Sequence, residues 1–486
     1  MNVEHPVEPR AAARASTAKA APARASTDQE VVLYDVRRKI YPRAVTGVFA
    51  RWRWSMVWLT QLVFYGLPWL SWNDRPAVLF ELAARRFYLF GTVLYPQDFI
   101  YLAGLLVIAA LALFLFTAIA GRLWCGYACP QTVYTEIFMW IERRVEGDRP
   151  RRMKLDRAPM SARKLGIKAA KHGLWLAVSL WTGITFVGYF AGIQSLLAEI
   201  ATLQVGAWET FWVLFYGFAT YGNAGFMREQ VCKFMCPYAR IQSAMIDNDT
   251  LVITYDRERG EPRGSRSRKA DRGALNLGDC VNCGVCVEVC PTGIDIRQGL
   301  QNECIGCAAC VDACGKVMDR MGYSPGLIRY DTENGRVNRW SRGQLFRRAA
   351  RARVGIVGAV LLTLTVGLFT HMVLRVPLKV DVIRDRGSLG REVQDGLVEN
   401  VYRLQLMNAS ETARRLRIDV SGIETVVVAS EALVEIEPAA NRLVPVRIRV
   451  RPGFAKPGAN GIEFLVVDLD DPGVAVREKS TFFVPR

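Results

Sequence analysis

An α-helical membrane protein with five transmembrane helices, an inserted bacterial-type two-cluster ferredoxin domain and a C-terminal all-β immunoglobulin-like sandwich is the fold the sequence predicts. Three observations predict it: five apolar runs free of charge, two cysteine runs of matching spacing, and a terminal stretch that alternates with period two. The 486 residues are 51% hydrophobic and only 22% charged, which excludes a disordered chain and disfavours a simple soluble enzyme. Three histidines (His5, His172, His371) are too few for a bis-histidine haem or a histidine-built zinc or copper centre.

Residues 1–30, rich in Ala, Arg, Ser and Pro, read as a disordered tail. No short apolar core and cleavage site follow the charged stretch, so the tail is not a signal peptide and the first helix does the targeting. The membrane domain spans 31–253. Its transmembrane helices fall near 54–73, 99–121, 173–198 and 205–227, and a fifth spans 354–374. Each approaches the ~20 residues needed to cross the hydrocarbon core, and Trp54, Trp72, Trp124 and Trp208 stand near their ends.

Lys and Arg accumulate on the cytoplasmic side of a membrane. Residues 122–172 carry 12 of them and 228–353 carry 21, against 3 in 74–98 and none in 192–209. The N-terminus and the segment between helices four and five are therefore expected in the cytoplasm of a bacterial inner membrane, with everything after Leu374 in the periplasm. This topology accounts for most of the +17 charge, and no nucleic-acid-binding motif accompanies it.

The inserted domain, 254–345, holds the strongest chemical signal. Cys280, Cys283, Cys286 and Cys290, followed by Pro291, form a C-x2-C-x2-C-x3-C-P run, and Cys304, Cys307, Cys310 and Cys314 repeat the spacing with Gly315 in place of proline. In two-cluster ferredoxins the fourth cysteine of each run ligates the other cluster. One 4Fe-4S cluster is thus assigned to Cys280, Cys283, Cys286 and Cys314, and the second to Cys304, Cys307, Cys310 and Cys290. Structural zinc prefers two C-x-x-C pairs, and disulfides are disfavoured on the reducing side of a membrane.

Two further pairs, Cys125 with Cys129 and Cys232 with Cys236, sit in C-x3-C-P motifs at equivalent depths, just past the second and fourth helices. Soft sulfur ligands suit Cu(I), an iron–sulfur cluster or zinc, and a dithiol pair can also cycle as a disulfide. The spacing leaves these alternatives open. Glu209, and His371 with Met372, lie near the outer helix ends as candidates for a proton or copper role. The last domain, 378–486, shows short alternating runs such as YRLQLM (Tyr402–Met407) and VPVRIRV (Val444–Val450) and contains no cysteine.

Taken together, RKIYPRAVTGVFARWRW (Arg38–Trp54), WCGYACPQT, CKFMCPYARIQSAMID, the paired cysteine runs, a fifth helix and a terminal sandwich resemble the cytochrome c oxidase accessory family called CcoG, FixG or RdxA. The resemblance implies a role in maturing cbb-type cytochrome c oxidase together with its copper-handling assembly factors, by reduction of substrate Cu(II) to Cu(I) on the cytoplasmic side. It carries over the eight ferredoxin cysteines, and also Cys125, Cys129, Cys232 and Cys236 as candidates for copper binding or redox thiols. Two other readings compete. One is a quinol-linked electron conduit resembling NapH-type ferredoxins; the other is an assembly scaffold whose clusters are structural.

Overall fold

The computed structural model describes residues 39–73, 75–270, 273–385 and 390–485; the tail expected over 1–30 lies outside them. Among the described residues, three helices are long and apolar enough to cross a membrane: Pro96–Ala120, Ala162–Ala191 and Ala352–Val373. The five spans expected from the sequence are therefore met by three on length and composition. The run near 54–73 forms a 19-residue helix, Val48–Gly66, that starts earlier and takes in Arg51 and Arg53. The run near 205–227 forms a 16-residue helix, Ala207–Gly222, and then opens into two wider turns around Arg228. The run near 173–198 is divided: Ala162–Ala191 ends at Gly192, whose φ of 80° breaks the helix before Ile193–Ala201 begins.

Small residues let these helices approach closely. A Cβ on Gly183 would lie 2.3 Å from the carbonyl oxygen of Val213, and Gly217 faces Leu180 across the same crossing. The helix Pro130–Val145 is tied to the end of this pair by buried charge. Glu142 accepts from Arg228 at 2.8 Å and from Arg152 at 3.0 Å, so its burial is compensated from two sides.

At one end of the helices lies the cysteine-rich domain. Its two antiparallel strands, Val252–Tyr255 and Ile328–Asp331, pair Ile253 with Tyr330. They enclose a small core of Ile253, Tyr255, Ile296, Met318 and Leu327 together with Cys280 and Cys286. The domain also finishes the first helix. Asp312, on the helix Ala309–Met321, accepts from the otherwise unsatisfied N–H groups of Ala50 (2.8 Å) and Phe49 (3.3 Å). Gly47 makes room for that carboxylate, since a Cβ there would sit 2.2 Å from its carbon.

At the other end is the sandwich. One sheet runs Val427–Val428, Asn441–Val450, Val398–Asn408, Leu378–Arg384, with Arg391–Glu392 beside the third; the other runs Leu433–Ile436, Arg414–Ser421, Gly458–Asp468, Ala475–Val484. Alternate residues point inward, among them Leu404, Leu406, Val446, Ile448, Phe464 and Phe482, all below 1% exposed. Tyr402 meets Phe464 edge-on at 5.1 Å and donates its hydroxyl to the Thr481 carbonyl at 2.8 Å.

The connection 74–98, read from sequence only for its count of basic residues, contains a three-stranded sheet: Val78–Glu81, Arg86–Leu89 and Thr92–Leu94. It docks on the sandwich through Tyr88, Val93 and Tyr95 against Met407 and Ala409, and the Tyr95 hydroxyl donates to the Asn408 carbonyl at 3.0 Å. Asp98 then pairs with Arg375 at 3.4 Å and with Lys379, anchoring the start of one long helix beside the end of another.

Gly183→Val would force its side chain onto the Val213 carbonyl. The substitution is expected to cost about 1–3 kcal/mol, read as a lower thermal unfolding midpoint of the detergent-solubilised protein.

Candidate iron–sulfur centres

The two C-x2-C-x2-C loops share one backbone path. In the first, Asn282 and Gly284 are left-handed (φ 51° and 69°); in the second, Gly306 and Ala308 occupy the same offsets (φ 69° and 56°). Alternation of right- and left-handed residues curls the chain so that successive N–H groups point into a concavity that favours negative charge. The N–H of Gly306 faces the Cys304 sulfur and that of Ala309 faces the Cys307 sulfur. Each loop then runs directly into a helix, Val285–Glu288 or Ala309–Met321.

The last cysteine of each run neighbours cysteines of the other run. Cys290 lines one cavity with Cys286, Cys304, Cys307 and Cys310, walled by Ile253, Ile294, Ile296 and Ile305. The Thr292 hydroxyl is 3.3 Å from the Cys290 sulfur. Cys314 sits instead with Cys286, Cys280 and Cys283; burial pushes its thiol up to about 12, and those three neighbours add to the effect. Burial likewise raises Cys304 to about 12 and Cys286 to about 11. Of the eight, only Cys283 is exposed.

Among the described residues, no three Cys, His, Asp or Glu side chains converge closely enough for a single metal ion. Sulfurs around an apolar cavity suit a larger, polynuclear group, and the loop N–H groups would offset its negative charge. The residues present thus fit a 4Fe-4S cube in each set.

The other four cysteines lie against the second loop. Proline after Cys129 and after Cys236 holds each cysteine extended, and each caps the helix that the proline begins, Pro130–Val145 and Pro237–Met245. The N–H groups of Gln131 and Thr132 face the Cys129 sulfur. The Gln131 side chain donates to the carbonyls of Asn223 (3.0 Å) and Arg228 (3.1 Å), stitching the first motif to the approach of the second. Cys125 donates to Gln242 at 3.3 Å. Burial raises Cys125 to about 12, with Cys129 and Cys232 among its neighbours, and Cys232 to about 11, with Cys129 and Cys236 among its own. Cys129 and Cys232 each neighbour both cysteines of the other motif and their own partner, which links the four in one group.

Contact with the second loop is close. Cys125 and Cys232 pack on the group formed by Ile305, Cys307, Ala309 and Cys310. A Cβ on Gly126 would lie 2.8 Å from the Ile305 carbonyl oxygen and 3.0 Å from the Cys307 Cα. Two buried arginines complete this junction. Arg53 donates to the Cys307 carbonyl at 3.0 Å and pairs with Glu136 at 3.9 Å; Arg122 donates to the Ala239 carbonyl and faces Cys125, Cys232 and Cys304. Sequence reasoning met Arg53 only inside the RKIYPRAVTGVFARWRW stretch and Arg122 only as a topology charge; their adjacency to RWRW and to the first C-x3-C-P motif was the available signal. Glu209 and His371 lie elsewhere, on the long helices, where His371 Nδ1 is 2.8 Å from the Tyr101 hydroxyl.

Comparison with known proteins matches three sequence families: a 4Fe-4S dicluster domain over residues 227–333, a 4Fe-4S binding domain over 102–147, and the IG-like fold at the C-terminus of FixG over 368–485. Protein RdxA of Cereibacter sphaeroides is 39% identical over 455 residues, covering 91% of this chain and 95% of RdxA. Nitrogen fixation protein FixG of Rhizobium meliloti is 38% identical over 424 residues, 80% of each chain. Protein RdxB of Cereibacter sphaeroides is 38% identical over 439 residues, covering 88% of this chain and 91% of RdxB.

Gly126→Ala is expected to displace the 305–307 backbone and diminish the electron paramagnetic resonance signal of the second cluster while sparing the first. Because iron must displace protons from thiols raised by burial, reconstitution of metal-free protein should become more complete as pH rises from about 7 to about 9, followed by absorbance.

Proposed function

Because the chain belongs to the FixG and RdxA family, we propose that it is a membrane-bound iron–sulfur electron-transfer protein that reduces Cu(II) to Cu(I) for the assembly of cbb-type cytochrome c oxidase. One observation carries this reading: a contiguous series of cysteine sites, from Cys280, Cys283, Cys286 and Cys314 through Cys290, Cys304, Cys307 and Cys310, to Cys125 and Cys232 at the helix ends. When bound, 4Fe-4S clusters exchange electrons singly, which suits a one-electron metal reduction.

The chain's own part is to hold the sulfurs, exclude water and place charge. The isoleucines 253, 294, 296 and 305 keep the second cavity dry, and Arg53 and Arg122 set positive charge beside it. Copper meets the protein near the membrane-end cysteines, on the side where basic residues concentrate, which we assign to the cytoplasm of a bacterial inner membrane. The helix 99–120 starts beside the sandwich at Asp98 and ends beside the cysteine-rich domain, where the Leu251 N–H donates to the Ile119 carbonyl at 3.0 Å. That arrangement supports a periplasmic sandwich able to dock the oxidase or its copper-handling factors.

A quinol-linked conduit has one observation in its favour. A cavity between the first helix and the second loop is lined by Arg53, Trp54, Glu136, Met139, Cys232 and Cys307, which joins apolar wall to acid–base groups.

Cys310→Ser is expected to abolish Cu(II) reduction by reductant-supplied protein, assayed with a Cu(I)-specific chromophore, while the chain still inserts in the membrane. Undiminished reduction would refute the proposal. Rapid cluster reduction by a quinol analogue, with no Cu(II) reduction, would favour the conduit.

A further inference from the structure

Four cysteines at the membrane end are not absorbed by the two ferredoxin sets. We propose that Cys125, Cys129, Cys232 and Cys236 together hold a third iron–sulfur cluster, seated between the helix ends and the loop of the second. The site deepens the copper reductase reading, which brings copper near these same cysteines, and iron and sulfide counts test it apart from Cu(II) reduction.

The two motifs supply two sulfurs each, in the same local geometry. Cys129 caps a 16-residue helix and Cys236 a 9-residue helix, each fixed in extended conformation by the proline that follows. Cys125 and Cys232 lie four residues earlier, and each of the two has Cys129 as a neighbour. Glu142 with Arg228, and Gln131 with the Asn223 and Arg228 carbonyls, hold the two motifs side by side. The pairing is thus built into the fold.

The surroundings repeat those of the ferredoxin sets. Backbone N–H groups face a sulfur, here those of Gln131 and Thr132 on Cys129. Apolar residues of the second loop, Ile305 and Ala309, cover one side. Arg122, only 7% exposed, faces both Cys125 and Cys232, so a buried positive charge stands beside the sulfurs. As at the ferredoxin sets, the sulfurs do not converge on one point among the described residues. Four thiolates are the ligand complement of an iron–sulfur cluster.

The family match is a second and independent observation. The segment 102–147 is similar to a 4Fe-4S binding domain, yet its only cysteines are Cys125 and Cys129. A cluster there needs two more thiolates. Cys232 and Cys236 are the ones the fold delivers.

Iron and acid-labile sulfide counted on the anaerobically purified full chain in detergent test the assignment. Two ferredoxin cubes set the baseline, and a third cube raises both counts by about one half. Cys125→Ser and Cys232→Ser should each remove that excess while leaving the ferredoxin resonance signals in place. A chain carrying Cys283→Ser with Cys310→Ser should keep about one third of the wild-type iron and sulfide. Wild-type counts equal to the baseline overturn the proposal even if a variant folds poorly. So does stoichiometric copper or zinc lost on replacing Cys125 or Cys232. Counts unchanged in both single variants are equally decisive against it.

Discussion

The architecture turns on the close approach between the loop 304–310 and the turn around Gly126. Backbone meets backbone there at distances that admit no side chain, and the Gly306 face of the loop is correspondingly close to the Arg122 carbonyl. Burial of a charged cofactor at such a junction demands compensation. Arg53 and Arg122 supply it from two different helix ends, and the Tyr330 hydroxyl donates to the Gly306 carbonyl from the strand behind. A cysteine-rich domain that could be a separate electron carrier is in this way built into the floor of the helical domain.

Much of this was legible in the sequence. The two ferredoxin cysteine runs are readable because a polynuclear group fixes their spacing, independent of the rest of the fold. The sandwich strands were readable because residues such as Leu404, Leu406, Val446 and Ile448 alternate against a single buried face. Prolines 130 and 237 announced that Cys129 and Cys236 would stand outside a helix, and each does so as the residue preceding one.

What escaped the sequence depends on tertiary partners. Hydropathy places a helix start where charge ends, at Trp54, but Arg53 is buried by the cysteine loop and Asp312 caps the N–H groups of Phe49 and Ala50, so the helix begins at Val48, six residues earlier. The sheet in 78–94 consists of strands of three or four residues, too short to show a period, and gains its stability from Met407 and Ala409 more than 300 positions away. The two C-x3-C-P motifs were expected at one depth, but the residues that hold them side by side, Glu142, Arg228 and Gln131, have no pattern of their own.

The capping of the first helix by Asp312 also bears on how the chain is made. Ala50 and its acceptor are separated by 262 positions, so at about 5–20 residues per second the ribosome releases the helix well before the carboxylate that completes it exists. Until residues 307 and 312 have been made and docked, the leading helix lacks the cap of its first turn and Arg53 lacks the Cys307 carbonyl. Completion of the leading helix is therefore a late event, coupled to docking of the cysteine-rich part rather than to the helix's own synthesis.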